Sequence, residues 1–150
     1  MMARGLRPHS RWLERGLFPA TAEEARAFGA ATGLYVARLS RIRFGSSRPM
    51  ALEHTSLPAD ILDAPAAVGP SLYAALAERG IRLERASERI TASVLTDEQA
   101  RLLGVPAGSP ALAILRTGFD TSGRTIEITR SFYRSDIYDL VAELTFSNDE

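Results

Sequence analysis

The chain has 150 residues, 45% of them apolar and 24% charged, which is the length of one domain with enough apolar surface for a core and excludes disordered, collagenous and membrane-spanning classes. Eighteen basic residues balance 18 acidic ones, so no global field draws the chain to nucleic acid or to an anionic membrane. Cysteine is absent and there are only 2 histidines, so disulfides, thiolate chemistry and a metal centre are not expected, and no cofactor is implied. The start, Met-Met-Ala-Arg-Gly, lacks the apolar stretch of a signal peptide, which places the protein in the cytoplasm.

After a leader at residues 1–8, His9 to Arg15 is predicted as a short helix, with Gly16 in the left-handed cap position and Pro19 blocking continuation. Thr21 followed by Glu24 is a capping box, and its helix runs through Ala25 and Phe28 toward Gly33. A strand over 34–44 follows. Alternation puts Arg41 and Arg43 on one face and Ile42 and Phe44 on the other. Pro49 cannot donate to a ladder, so the return strand is predicted to start at Met50 after a five-residue connection, Gly45 to Pro49. That register sets Ala51 against Arg43 and Glu53 against Arg41, and a slip of one residue would turn Glu53 to the other face. Pro58 ends the pairing. Residues 59–70 carry no usable periodicity; Ser71 then caps a helix ending at Gly80, with Leu72 and Leu76, joined by Tyr73 and Ala75, on a stripe that packs against a sheet. Residues 81–95 read as a long strand.

The next stretch repeats what came before. Thr21-Ala-Glu-Glu-Ala-Arg-Ala-Phe-Gly is echoed by Thr96-Asp-Glu-Gln-Ala-Arg-Leu-Leu-Gly, and the same offset matches Gly33 with Gly108, Arg41 with Arg116 and Phe44 with Phe119. A shift of one residue in the turn aligns Glu53 with Glu127. Each copy is helix, strand, turn, strand, and the second turn, Asp120-Thr-Ser-Gly-Arg, is a polar cluster with Gly able to take positive φ. Two such units imply an α+β fold, a mostly antiparallel sheet with helices covering one face and the 81–95 strand between the units. A last strand is expected at 140–146, with a frayed tail from Ser147.

Over roughly residues 9–144 the chain resembles the UTRA effector-binding domain of the HutC branch of GntR-type bacterial transcription regulators. The resemblance rests on Arg-Ile-Arg at 41–43 with a hairpin to Glu53, on Ser71-Leu-Tyr opening a helix, on Leu103-Gly-Val-Pro-Ala-Gly-Ser-Pro before a strand, and on Ile126-Glu-Ile-Thr with Tyr133 six residues past the Glu. It implies a chorismate-lyase-like fold, six antiparallel strands with flanking helices, that binds small acidic metabolites in a cleft. It also implies that Arg41, Arg43, Glu53, Ser71, Glu127 and Tyr133 contact the effector, as equivalent positions do in sugar-phosphate-responsive members. Members carry a winged helix-turn-helix ahead of this region, so DNA is expected to be read by a domain that this chain lacks. Arg7-Pro8-His9-Ser10 replaces the Ser/Thr-Phe-Ser type of segment of the phosphate-binding members, which points away from a sugar phosphate.

Taken singly, each site residue has a plainer role. Arg41 and Arg43 form an anion clamp, because guanidinium donors match carboxylate or phosphate oxygens, or a solvated strand face paired to Glu53. Glu53 and Glu127 accept from the effector or only neutralise arginines. Ser71 is a helix cap as well as a candidate contact. Tyr133 shares a strand face with Glu127, Thr129 and Ser131, a polar stripe suited to a wet cleft. Arg116 is a second ligand residue or a structural ion pair, and His9 and His54 are ordinary residues. The expected function is binding of a small anionic metabolite by a homodimeric sensor that touches neither DNA nor membrane by itself. A lyase-like enzyme and a dimerisation module are the alternatives.

Overall fold

The computed structural model describes residues 8–30 and 33–147. Its strands are β1 (Pro8–Pro19), β2 (Tyr35–Gly45), β3 (Arg48–Pro58), β4 (Arg85–Val94), β5 (Pro110–Phe119) and β6 (Thr125–Arg134). Helices α1 (Ala22–Ala27), α2 (Leu72–Glu78) and α3 (Asp97–Leu103) and a 3₁₀ turn (Pro65–Ala67) complete it. The strands form a single six-stranded sheet in the order β1-β2-β3-β6-β5-β4, every neighbouring pair antiparallel. The expected α+β class and six-stranded antiparallel sheet are therefore present. The two halves meet at β3 and β6, and the 81–95 strand, realised as β4, lies at an edge.

The repeated helices begin alike. Thr21 and Thr96 each accept from the N–H three residues on, and Glu24 and Gln99 each return a side-chain bond to the cap N–H. Helix α3 ends on Gly104 in the left-handed conformation, φ 71°. In the second turn Asp120 Oδ1 accepts from the backbone N–H groups of Ser122 and Arg124, with Gly123 at φ 86°.

Several expectations are corrected. The segment predicted as a helix at 9–15 is the first half of β1, which pairs with β2 from Pro8↔Gly45 to Pro19↔Tyr35, with Gly16 opposite Arg38. A two-turn helix is marginal alone, whereas the outer edge of β2 offers it a full ladder. The 140–146 strand does not form: after a turn at 135–137 the chain runs on without a ladder partner, so the sixth strand is β1. The first hairpin is tighter than expected. Gly45 pairs with Arg48 and Phe44 with Pro49, leaving Ser46 and Ser47 as the turn, with Ser46 at φ 57°. Buried Met50 is the extra residue of a bulge, a place where proline is tolerated. The bulge restores the register, so Arg41 faces Glu53 and Arg43 faces Ala51 as expected.

Helices also lie on both faces. Helix α3 packs Ala100 and Leu103 against Ile42 and Leu52 on one face, and Glu24 of α1 reaches Arg38 and Ser56 there. Helix α2 packs Leu72 and Leu76 on the other, with Ala37, Leu39, Leu57 and Ile126. Tyr73 departs from the α2 stripe because it lies about 100° around the helix from Leu72. The expected leader is outside the described residues except for Pro8, and of the expected tail only Ser147 is described.

Candidate functional site

Only part of the α2 face is apolar. Beyond Leu39 and Leu57 the rows across the sheet turn polar. One row runs Arg41, Glu53, Ser131, Ile114; the next runs Thr55, Thr129, Arg116, Glu88. The first turn of α2 and the segment after β6 close over these rows and leave a cavity of about 450 Å³. Arg41, Arg43, Glu53, Ser71, Glu127 and Tyr133, from three strands and the cap of α2, all line it.

The two arginines of β2 are held differently. Arg41 Nε donates to Glu53 Oε1 at 2.8 Å and Nη1 to the Pro70 carbonyl at 3.1 Å, while its guanidinium lies 4.9 Å from the Trp12 ring centre. Arg43 approaches Glu53 Oε2 only to 3.9 Å. Its Nε is buried with no hydrogen-bond partner among the described residues. Ser71 caps α2, accepting from Ala74 N–H at 3.1 Å, and presents its residue to the cavity at the same time.

On the far wall a chain of bonds runs across four strands, from β4 through β5 and β6 to β3. Arg116 donates to Glu88 at 2.8 Å and also to the Tyr73 hydroxyl. Tyr73 in turn donates to Glu127 at 3.2 Å. Thr129 donates to the same carboxylate at 2.6 Å, so the 2.9 Å contact between Thr55 and Thr129 has Thr55 as donor. Burial pushes the Glu127 carboxyl above its usual range, against the opposing bond from Thr129. Burial, with Glu127 nearby, pushes the Tyr73 phenol up to about 12. Burial and Glu53 do the same to Tyr133, which stacks on Tyr138 at 4.1 Å.

Tyr73, Tyr138 and Thr55 were missed by sequence reasoning. Tyr73 was assigned to the buried stripe, although its position next to the Ser71 cap was the signal that it sits over the cavity. Arg116 unites the two readings open for it, since it is ion-paired to Glu88 and lines the cavity. The alignment of Glu53 with Glu127 is two residues off in ladder terms. Arg41 faces Glu53 but Arg116 faces Thr129, and Glu127 faces Gly118. The longer second turn causes the offset, and Gly118 stands where the repeat places Arg43. Glu127 therefore lacks the arginine that faces Glu53. His9 stacks on Phe44 and His54 contacts Ser40, and among the described residues no three of His, Cys, Asp and Glu gather as a metal site would require.

A six-stranded antiparallel sheet with few helices is the fold of the effector domains of GntR-family transcription regulators. The chain belongs to the UTRA domain family, which matches residues 3–139. It is 30% identical over 144 residues to the HTH-type transcriptional repressor NagR of Bacillus subtilis (strain 168), a match covering 94% of this chain and 59% of that protein. It is 27% identical over 143 residues to the HTH-type transcriptional regulator GgaR of Escherichia coli (strain K12), covering 95% of this chain and 58% of that one. The effector domain of PhnF from Mycobacterium smegmatis superposes with a TM-score of 0.88 at 27% identity, over 95% of this chain and 90% of that domain. The chain thus spans less than two thirds of the length of these curated relatives. No helix among the described residues is long and apolar enough to cross a membrane.

Proposed function

We propose that this UTRA domain senses a small anionic metabolite in the cavity under α2 and that occupancy changes DNA binding by a separate winged-helix domain of a HutC-type regulator in the bacterial cytoplasm. Arg41, Arg43, Glu53, Ser71, Glu127 and Tyr133 are its contacts. The observation that carries this reading is Arg43, a guanidinium at the cavity wall whose Nε is buried with no partner among the described residues. An anionic oxygen supplied by a ligand would satisfy it, whereas a solvated strand face would leave no donor buried. The regulator acts as a homodimer, and this chain alone does not retard operator DNA, because its net charge is zero.

The enzyme alternative is weaker. Glu127 is the acid best placed for proton transfer, yet Tyr73 and Thr129 already occupy it. Incubating the domain with a panel of sugar phosphates and of di- and tricarboxylic acids, and following both melting temperature and product formation, tests the proposal. A rise in melting temperature without turnover is expected, since a ligand at a hundred times its Kd adds about 2.7 kcal/mol to stability. Turnover would make the domain an enzyme, and no response to any anion would remove the anion sensor.

A further inference from the structure

A second cavity lies on the flank of α2. Gly80, at φ 75°, turns the chain out of the helix, and the Ile81 N–H donates to the Leu76 carbonyl. Residues 81–83 then run without regular structure, bringing Leu83 onto Gly118 of β5, until the Glu84 N–H meets the Phe119 carbonyl. Between this segment, α2 and Arg116 is a cavity of about 350 Å³. Its floor is apolar: Leu76 belongs to the core beneath α2, and Ile81 and Leu83 pack against that core. Its rim is basic, because Arg82 and Arg116 line it and no acid does. The first cavity differs, since there Arg41, Arg43 and Arg116 are matched by Glu53, Glu88 and Glu127. Arg116 is already paired with Glu88. Arg82 is exposed and pairs with no carboxylate among the described residues, so its charge is the one left over. Tyr73 and Arg116, bonded to each other, stand in both walls and separate the two cavities.

From this apolar floor beneath an unpaired guanidinium we infer that the flank of α2 is a second ligand site, which takes a small monocarboxylic acid with an apolar body. The body lies on Leu76, Ile81 and Leu83, and the carboxylate meets Arg82 at the rim, with Arg116 beside it. Volume favours a metabolite over a polypeptide. Ligand cavities span about 300–1,000 Å³, and this one is at the small end of that range, whereas a docked helix is about 10–12 Å across. Charge favours an acid over an amine, because no carboxylate lines the cavity to receive a cation. The floor favours a chain over a bare anion, since each buried methylene adds about fourfold in affinity. Arg43 does not line this cavity, so the site can be filled whether or not the first one is.

Titration of the isotope-labelled chain with octanoate, acetate and octanol, followed by NMR, tests this. Octanoate is expected to shift the amides of Leu76, Ala77 and residues 81–83. It should bind at least about tenfold more tightly than acetate, which has the charge without the chain, and than octanol, which has the chain without the charge. Arg82→Gln should weaken octanoate binding about tenfold. Ala77→Trp, at an exposed position of the helix that lines the cavity, should fill it and abolish binding with the circular dichroism spectrum unchanged. Should the tryptophan variant fail to fold, Arg82→Gln decides alone, because that side chain is exposed and unpaired. No saturation by octanoate would overturn the inference, as would equal binding of acetate or octanol. Shifts confined to Arg41, Arg43 and Glu53, or full affinity in Arg82→Gln, would overturn it equally.

Discussion

Arg43 stands 3.9 Å from Glu53, too far for a hydrogen bond, on the carboxylate that Arg41 holds at 2.8 Å. One guanidinium is consumed by the architecture and the other is left over. Arg41 is locked between Glu53, the Pro70 carbonyl and the Trp12 ring, so its first role is to tie β2 to β3 and to the approach to α2. Arg43 has its charge at the cavity and a buried Nε with no partner among the described residues.

That division makes the two arginines differ in stability. Replacing Arg41 by Ala removes one partner of a mostly buried pair and is expected to cost about 3 kcal/mol in urea unfolding. Replacing Arg43 by Ala should change stability by less than about 1 kcal/mol, because no hydrogen bond among the described residues is lost. Equal losses for the two variants would contradict this assignment.

Among the described residues the Tyr73 hydroxyl is the one group of α2 that hydrogen-bonds to the Arg116 and Glu127 wall. Tyr73→Phe keeps the ring but breaks that link and leaves Glu127 with Thr129. A loss of about 1 kcal/mol is expected, together with faster hydrogen exchange in the first turn of α2. Unchanged exchange there would show that the hydroxyl does not hold the helix.

Acid and neutral pH should act on stability through different carboxylates. Burial raises the Glu127 carboxyl above its ordinary 4.5, so the folded state binds this proton more tightly than the unfolded chain does. Stability from this group falls as pH rises from 4.5 through the folded value. Glu127→Gln should therefore melt higher than the parent at neutral pH, with the difference shrinking below 4.5. Glu24 has the opposite sign. The bond from Arg38, with lesser help from Thr21 and Ser56, holds it at about 2, so its contribution is complete above 4.5 and is lost as pH falls through about 2. Glu24→Gln should lower the neutral melting temperature and flatten the acid limb; melting curves from acid to neutral pH check both signs.

Gly118 is required by its neighbours and not by its own backbone. A Cβ there would lie 2.6 Å from Leu83 Cδ2 and 2.8 Å from Glu127 Oε1. Gly118→Ala is expected to cost about 1–3 kcal/mol and to displace the Glu127 carboxylate from Tyr73. A variant as stable as the parent would mean that the wall yields.

Much of this was readable in the chain because the repeat and the alternation are local signals. Arg41 opposite Glu53 follows from period-two geometry once the hairpin is placed, and the bulge at Met50 compensated for a turn length that was misjudged at Pro49. The polar stripe Glu127, Thr129, Ser131 and Tyr133 was legible for the same reason. Strand β1 was not, because His9, Trp12 and Gly16 suit a short capped helix as well as an edge strand, and only the ladder with β2 decides between them. The repeat held the answer: the offset that carries Thr21 onto Thr96 carries residues 8–19 onto 83–94, most of which is β4. Tyr73 was missed because its role depends on Arg116 and Glu127, which are 43 and 54 residues away in sequence.

The most direct measurement is calorimetric titration of the unmodified domain and of Arg43→Ala with whichever anion of the panel raises the melting temperature most. A guanidinium contact to a charged oxygen contributes about 1.5–3 kcal/mol, so Arg43→Ala should weaken binding roughly ten- to a hundredfold with the fold intact. Unchanged affinity in the folded variant would contradict the central claim that the anion binds at Arg43.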